Sequence, residues 1–211
     1  MGAKNETTRK RSKLMSLQRK LLLGVTKGYS TMSHEAVMVI AGIIPLDLII
    51  EEMLKRRADK EAGIDKKESK RIRREETLNE WQRRWVISTK GRETFEYVPD
   101  VRVRKRVKWE TDHYTTQFVS GHGNFKAKLR GFNLVENDRC DHCGELETAE
   151  HVLMICPYYE EERTQFREML AEKGLHWEKP CFVSSREVAA KFGVMCRRIG
   201  KKKHDFENDR L

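Results

Sequence analysis

The chain has 211 residues, of which 38% are hydrophobic and 36% charged, with a formal net charge of +10 and a sequence pI of about 9.4. That apolar share suits small packed units joined by charged helices and excludes one large globular core. A surplus of Lys and Arg this large favours polyanionic partners, nucleic acid first and an anionic membrane surface second. No run of about 18 apolar residues exists, so the sequence predicts no membrane span.

The basic N-terminus lacks a following apolar segment, which rules out a secretory signal, and Glu6 breaks the myristoylation pattern behind Gly2. Five cysteines are an odd number, and Cys140, Cys143 and Cys156 stand beside a histidine. That grouping suits metal binding in a reducing compartment better than a disulfide framework. The expectation is an intracellular protein of nucleus or cytoplasm, not secreted.

In chain order, Leu14, Leu17, Leu21 and Val25 recur at spacings of three and four, an apolar helix stripe that Gly28 is placed to end. Ser33 is a helix N-cap, and its helix runs through Val37 and Ile40 to Ala41 before Gly42. Pro45 fits the first turn of a third helix that carries Leu46, Leu48, Ile49, Met53 and Leu54 into a charged tail. Apolar content then collapses from residue 55 to 79; six Lys and Arg between Lys66 and Arg74 read as a solvated helical extension. Trp81 and Trp85 lie four apart, as packing anchors on one helix face do.

From Val101 to Trp109 the residues alternate. Arg102, Arg104, Arg106 and Lys108 share one parity, while Val101, Val103, Val107 and Trp109 share the other. This is a strand pattern with a basic face, at ease either in water or against phosphates. Residues 118 to 132 read as a helix, a Gly121-His122-Gly123 turn, and a second short helix with Phe125, Leu129 and Phe132. Phe125 and Phe132 suit core packing, with stacking on a base as the alternative. Past the cysteines, residues 158 to 170 form an amphipathic helix with Phe166, Met169 and Leu170. A last helix over 184 to 200 turns Val188, Phe192 and Met195 inward, and Lys201, Lys202 and Lys203 begin a disordered polar tail.

The chemistry sits in Cys140-x2-Cys143-x7-His151-x4-Cys156. A two-residue gap lets one turn offer two thiolates to one ion, with Gly144 free to take positive φ. Thr148 can cap a short helix that presents His151 and returns Cys156 a turn later. Three thiolates and an imidazole make a closed tetrahedral set, which predicts one structural zinc ion in a knuckle too small for its own core. His142, inside the first pair, is strained as a ligand and stays outside the set. Cys181 and Cys196 read as buried thiols, and His113 and His122 as satisfied polar residues. No phosphate-cradling loop, nucleophile elbow or HExxH pair occurs, so no catalytic residue is assigned.

Three stretches carry a resemblance. The first joins Leu17-Gln18-Arg19 to the segments from Gly28 to Ser33 and from Ile40 to Leu48. The second joins Trp81 and Trp85 to Lys90-Gly91-Arg92, Val98-Pro99-Asp100 and the segment from Thr116 to Gly123. The third is the knuckle, with its segment from Ala149 to Leu153, Cys156-Pro157 and Arg163. In this order the chain resembles the carboxy-terminal end of the Pol polyprotein of insect type-1 non-LTR retrotransposons, the ribosomal-DNA-inserting and Jockey-like group. The resemblance implies a thumb-like bundle followed by a knuckle, with the metal-binding palm and the endonuclease outside this chain. Glu93 departs from the pattern where an aromatic is usual, and Val103 where a tryptophan is.

The expected fold is mainly α. It comprises a thumb-like helical bundle over residues 1–54, a charged helical linker over 55–79 and a Trp-anchored basic module with a short strand over 80–135. The CCHC knuckle with its following helix occupies 136–172, and a C-terminal helix and basic tail occupy 173–211. The expected function is non-catalytic binding of RNA or DNA by a reverse transcriptase remnant. Lys126, Lys128, Arg130 and Arg139 meet phosphates beside the knuckle, and Arg102, Arg104 and Arg106 form a second rail. The alternatives are a zinc-stapled protein-interaction module, and a subunit that completes the active site of a palm-bearing reverse transcriptase in trans.

Overall fold

The computed structural model describes the backbone of residues 2–209 and the side chains of residues 9–209. The chain is mostly helical. It runs through α1 (Gly2–Thr26), α2 (His34–Ala41), α3 (Leu46–Glu61), α4 (Lys66–Ile87), α5 (Arg92–Tyr97) and α6 (Val101–Arg106). It continues through α7 (His113–Ser120), α8 (Lys126–Arg130), α9 (Glu160–Glu172) and α10 (Arg186–Asn208). Buried apolar side chains from Leu22 in α1 to Ile199 in α10 form one connected cluster.

The start of α2 is fixed locally. The Ser33 hydroxyl accepts from the Ala36 amide at 3.1 Å, and Gly42 closes the helix in the left-handed region. Because every residue from Ala36 to Ile40 is buried, α2 forms the centre around which α1, α5, α6 and α7 pack.

The expected inward stripe of α1 is instead its outer side. Leu17, Leu21 and Val25 are 60%, 74% and 63% exposed, while Gln18, Leu22 and Thr26 are buried. The turn between α2 and α3 supplies the reason. The Gln18 side-chain amide donates to the Ile44 carbonyl at 3.0 Å and its oxygen accepts from the Leu46 amide at 2.9 Å. Thr26 similarly presents its carbonyl to the Thr116 hydroxyl at 2.6 Å. Satisfying buried backbone groups decides the rotation of the helix against its own hydrophobic pattern. At the end of α1, Lys27 rather than Gly28 adopts positive φ. A Cβ on Gly28 would lie 2.4 Å from the Met32 sulfur, so close approach is what the glycine provides.

The charged stretch from 55 to 79 folds back on itself, because α3 and α4 form an antiparallel hairpin clasped by ion pairs. Asp59 receives two bonds from Arg73, at 2.9 and 2.7 Å, and one from the Ser69 hydroxyl at 2.6 Å. Asp47 pairs with Arg84 at 2.6 Å, Glu52 with Arg74 at 3.2 Å, and Lys55 with Glu76 at 2.9 Å. Trp81 and Trp85 are buried as anchors, with the Trp85 indole donating to the Val98 carbonyl at 2.7 Å.

The expected basic strand at 101 to 109 is overturned, since its first six residues are α6. Asp100, behind Pro99, caps the helix by accepting from the Arg102 amide at 2.8 Å. A cap of this kind outweighs an alternation only a few residues long. Val101 and Arg104, three apart, then share the buried face. The C-terminal expectation also fails in one part. Val188, Phe192 and Met195 do point inward, but α10 continues to Asn208 and Lys203 is buried. No described helix is long and apolar enough to cross a membrane.

Candidate metal centre and its basic surroundings

The knuckle begins with a tight turn. The Cys140 amide donates to the Glu145 carbonyl at 2.7 Å and the Gly144 amide to the Cys140 carbonyl at 2.9 Å, with Gly144 at φ +79°. An antiparallel bridge between Arg139 and Leu146 closes the turn. The Thr148 hydroxyl then accepts from the His151 amide at 3.0 Å, and residues His151–Ile155 wind as a π-helix. Its wide turn carries a 2.8 Å bond from the Cys156 amide to the His151 carbonyl. An i to i+5 register returns the fifth residue to the starting face, which suits the four-residue gap between His151 and Cys156.

The structure brings Cys140, Cys143, His151 and Cys156 together, with their ligand atoms all within 4.8 Å of one another. The Cys140 and Cys156 sulfurs are 3.8 Å apart, the Cys143 and Cys156 sulfurs 4.0 Å, and the Cys143 sulfur is 3.2 Å from His151 Nε2. These four residues can hold a metal ion. Burial lowers the His151 pKa and so favours the neutral imidazole that ligation requires. Burial also pushes the Cys156 thiol up to about 12, so a thiolate there needs a cation beside it.

His142 does not join the set. Its ring stacks on Tyr158 at 3.5 Å between centroids and 4° between planes, and Phe206 of α10 lies 4.3 Å away. Around the ligands, the fully buried Arg163 donates to the Cys156 carbonyl and to Glu160 at 2.6 Å. Glu147 ties three elements together. It accepts from the Lys126 amide at 3.1 Å, its carbonyl accepts from the Ala127 amide at 3.1 Å, and it pairs with Lys203 at 2.9 Å. Composition and spacing gave no warning of Glu147 or Lys203. The signal was the helical period of α10, which places Lys203 on the stripe of Phe192, Cys196 and Ile199 and Phe206 one turn on.

The expected cations are scattered. Arg104 is inside the protein: it donates to the Ile40 carbonyl at 2.9 and 2.8 Å and to the Val107 carbonyl at 2.9 Å, and its guanidinium lies 4.5 Å from the Trp109 ring centroid. Burial alone lowers its pKa to about 10. It is therefore removed from the phosphate rail, because a helix has replaced the strand that put it outside. Arg102 pairs with Glu75 at 2.9 Å, and Arg106 is exposed. Lys126 pairs with Asp141 at 2.6 Å, whereas Lys128 is half-buried on α8 and Arg130 and Arg139 are exposed beside the knuckle. His122 bonds to the Thr31 hydroxyl at 2.9 Å, and burial followed by Lys128 lowers its pKa to about 4.

No family model matches the chain, and no solved structure does. Curated relatives do. A retrovirus-related Pol polyprotein from a type-1 retrotransposable element R1 of Nasonia vitripennis is 32% identical over 167 residues, 72% of this chain and 43% of the relative. A second from the same organism is 35% identical over 62% of this chain and 36% of its own length. One from Popillia japonica is 36% identical over 51% of this chain and 42% of its own length. The chain spans less than half the length of each. The shared stretch makes this chain a homologue of the Pol polyproteins of insect type-1 R1 non-LTR retrotransposons.

Proposed function

We propose that this chain is a zinc-stapled, non-catalytic module of a retrotransposon protein that binds RNA or DNA inside the cell. Zinc fits the donor set. A tetrahedral ion with Zn–S bonds of about 2.3 Å separates its sulfurs by about 3.8 Å, against 3.8 and 4.0 Å here. Cys140, Cys143, His151 and Cys156 would hold it. A closed set of this kind supplies folding energy rather than a reactive water.

The observation that carries the nucleic-acid reading is the placement of Lys128, Arg130 and Arg139 on α8 and at the mouth of the knuckle, elements that Glu147 ties together. Phosphate contacts need cations held at set positions on a rigid frame. The reading as non-catalytic draws support from the carboxylates: Asp47, Glu52 and Asp59 are all engaged with arginines of α4. The test is binding of the zinc-loaded chain to single-stranded RNA and duplex DNA across salt, beside His151→Ala. Submillimolar binding that falls steeply with salt and weakens in the variant is expected. Flat, feeble binding by both proteins would sink the reading.

The exposed row of Leu17, Leu21 and Val25 on α1 supports a second reading, docking on another protein surface. In that case the chain completes a palm-bearing reverse transcriptase in trans. Primer extension that requires both chains and is abolished by Leu21→Glu is the corresponding result.

A further inference from the structure

A cleft of about 630 Å³ opens between α7, α8 and α10, next to the knuckle. Its floor is apolar and its rim is aromatic. Phe118 and Phe125 are buried in the floor with ring centroids 5.3 Å apart, and Tyr29 and Phe132 line the mouth, 40% and 46% exposed. Gly200 makes the wall of α10 thin, since a Cβ there would lie 2.2 Å from the Tyr114 ring. The rims are held in place. Tyr29 packs on His113 at 5.5 Å between centroids, and the Lys128 ammonium lies 5.7 Å from the centre of the Phe132 ring.

Lys128, Lys203 and Glu207 face the cleft, together with the imidazoles of His113 and His204. Glu207 is engaged by Lys203, which also pairs with Glu147, and by Asn124 at 2.6 Å, so Lys128 is the lysine left to meet an anion here. An exposed aromatic ring beside a lysine, over an apolar floor, has the chemistry of a stacked base with its phosphate alongside. Pockets of several hundred cubic ångströms hold ligands of nucleotide size.

We propose that this cleft is a subsite for unpaired nucleobases of a single-stranded nucleic acid. Phe132 stacks the base, Tyr29 stacks at the same mouth, and Lys128 meets the phosphate. The proposal rests on the nucleic-acid reading above and adds to it a requirement for bases, which cationic rails do not impose. Duplex bases are already stacked and paired, so the cleft selects single strands.

The experiment uses the zinc-loaded full chain with ten-nucleotide RNA and DNA single strands carrying 2-aminopurine, their abasic counterparts, and the same sequences as duplexes. Wild type is expected to bind intact strands more tightly than abasic ones and to quench the fluorescent base. Phe132→Ala is expected to weaken intact strands by about 5- to 100-fold, to leave abasic strands and the salt slope unchanged, and to abolish the quench. Phe132→Trp should restore all three. Phe132 is at the surface, so its removal leaves the core intact, and zinc content and circular dichroism check that. The RNA and DNA arms identify which strand the cleft prefers. Equal binding of intact and abasic strands, or a Phe132→Ala protein that behaves as wild type, overturns the cleft while leaving phosphate binding standing. Absence of any salt-dependent binding overturns both.

Discussion

Lys203 of α10 and Glu147 of the knuckle lie 2.9 Å apart with both side chains buried. A second carboxylate, Glu207, meets the same ammonium from one helical turn away. The pair fastens the last helix to the turn that carries Cys140 and Cys143, and the Phe206 ring packs at a tilt against His142. The Cys/His cluster is therefore braced by Lys203, 52 positions beyond His151 in sequence.

Replacing Lys203 by Met leaves a buried carboxylate without its partner. The expected loss is about 3 kcal/mol in urea unfolding, and the double variant with Glu147→Gln should recover part of it. Burial lowers the Lys203 pKa, but Glu147 and Glu207 outweigh it and the net shift is upward. The stabilisation is then fully present below the ordinary lysine value of 10.5 and is lost as pH rises through the raised one. Wild type should lose stability over that alkaline range by more than Lys203→Met does. Parallel losses in the two proteins would refute the pair as the cause.

Metal removal should act locally first. A chelator is expected to strip one equivalent of zinc, expose residues 138 to 156 to protease and free the His142 stack from α10, while the α3–α4 hairpin keeps its helicity. Cys143→Ser should reproduce this at neutral pH, and Cys181→Ser, outside the cluster, should not. Zinc stoichiometry and limited proteolysis read the outcome. Equal protease resistance with and without metal would show that the cluster does not staple the fold.

The parts of the fold legible in the sequence are those set by neighbours in the chain. Ser33 and Gly42 bound α2 because a cap is a bond between residues three or four apart. The cysteine and histidine spacing foretold the cluster because the turn at Gly144 and the cap at Thr148 are local too. Where distant groups decide, the pattern misled. Gln18 turns α1 so that a polar residue faces in and Leu21 faces out, and the carbonyls of Ile40 and Val107 draw Arg104 inside. Lys203 reads as part of a polar tail because the knuckle carboxylate that holds it, Glu147, is 56 positions away in sequence. A short alternating run such as 101 to 106 satisfies both helical and strand periods, and only the Asp100 cap separates them.

Arg104 offers a test of that distinction. Arg104→Met leaves the Ile40 and Val107 carbonyls without donors and removes the cation over Trp109, so a loss of about 2–4 kcal/mol is expected. The salt dependence of nucleic-acid binding should stay at the wild-type slope. A changed slope with unchanged stability would return Arg104 to the surface.

The α3–α4 hairpin should carry an acid signature. Hydrogen bonds from Arg73 and then Ser69 hold the Asp59 carboxyl at about 2, below its ordinary 3.8. Its contribution is therefore complete above pH 3.8 and lost as pH falls through about 2. Carboxyl NMR titration reads the group directly. In Arg73→Gln the value is expected to move back toward the ordinary one, and an Asp59 that titrates unchanged without Arg73 would contradict the clasp.

Salt titration separates the cations beside the knuckle from one another. Arg130 and Arg139 are exposed and share Asp138 only at 3.6 and 3.8 Å, and replacing either by Ala should lower the slope of log K against log salt by about 0.7 on a single strand, with a near-uniform loss across sequences. Lys126 is spoken for by Asp141 at 2.6 Å. Its replacement should change the slope by less while loosening the turn that bears Cys140 and Cys143, a difference visible as weaker zinc retention. If Lys126→Ala lowers the slope as much as Arg139→Ala and zinc binding is untouched, the phosphate path runs over Asp141 rather than around it.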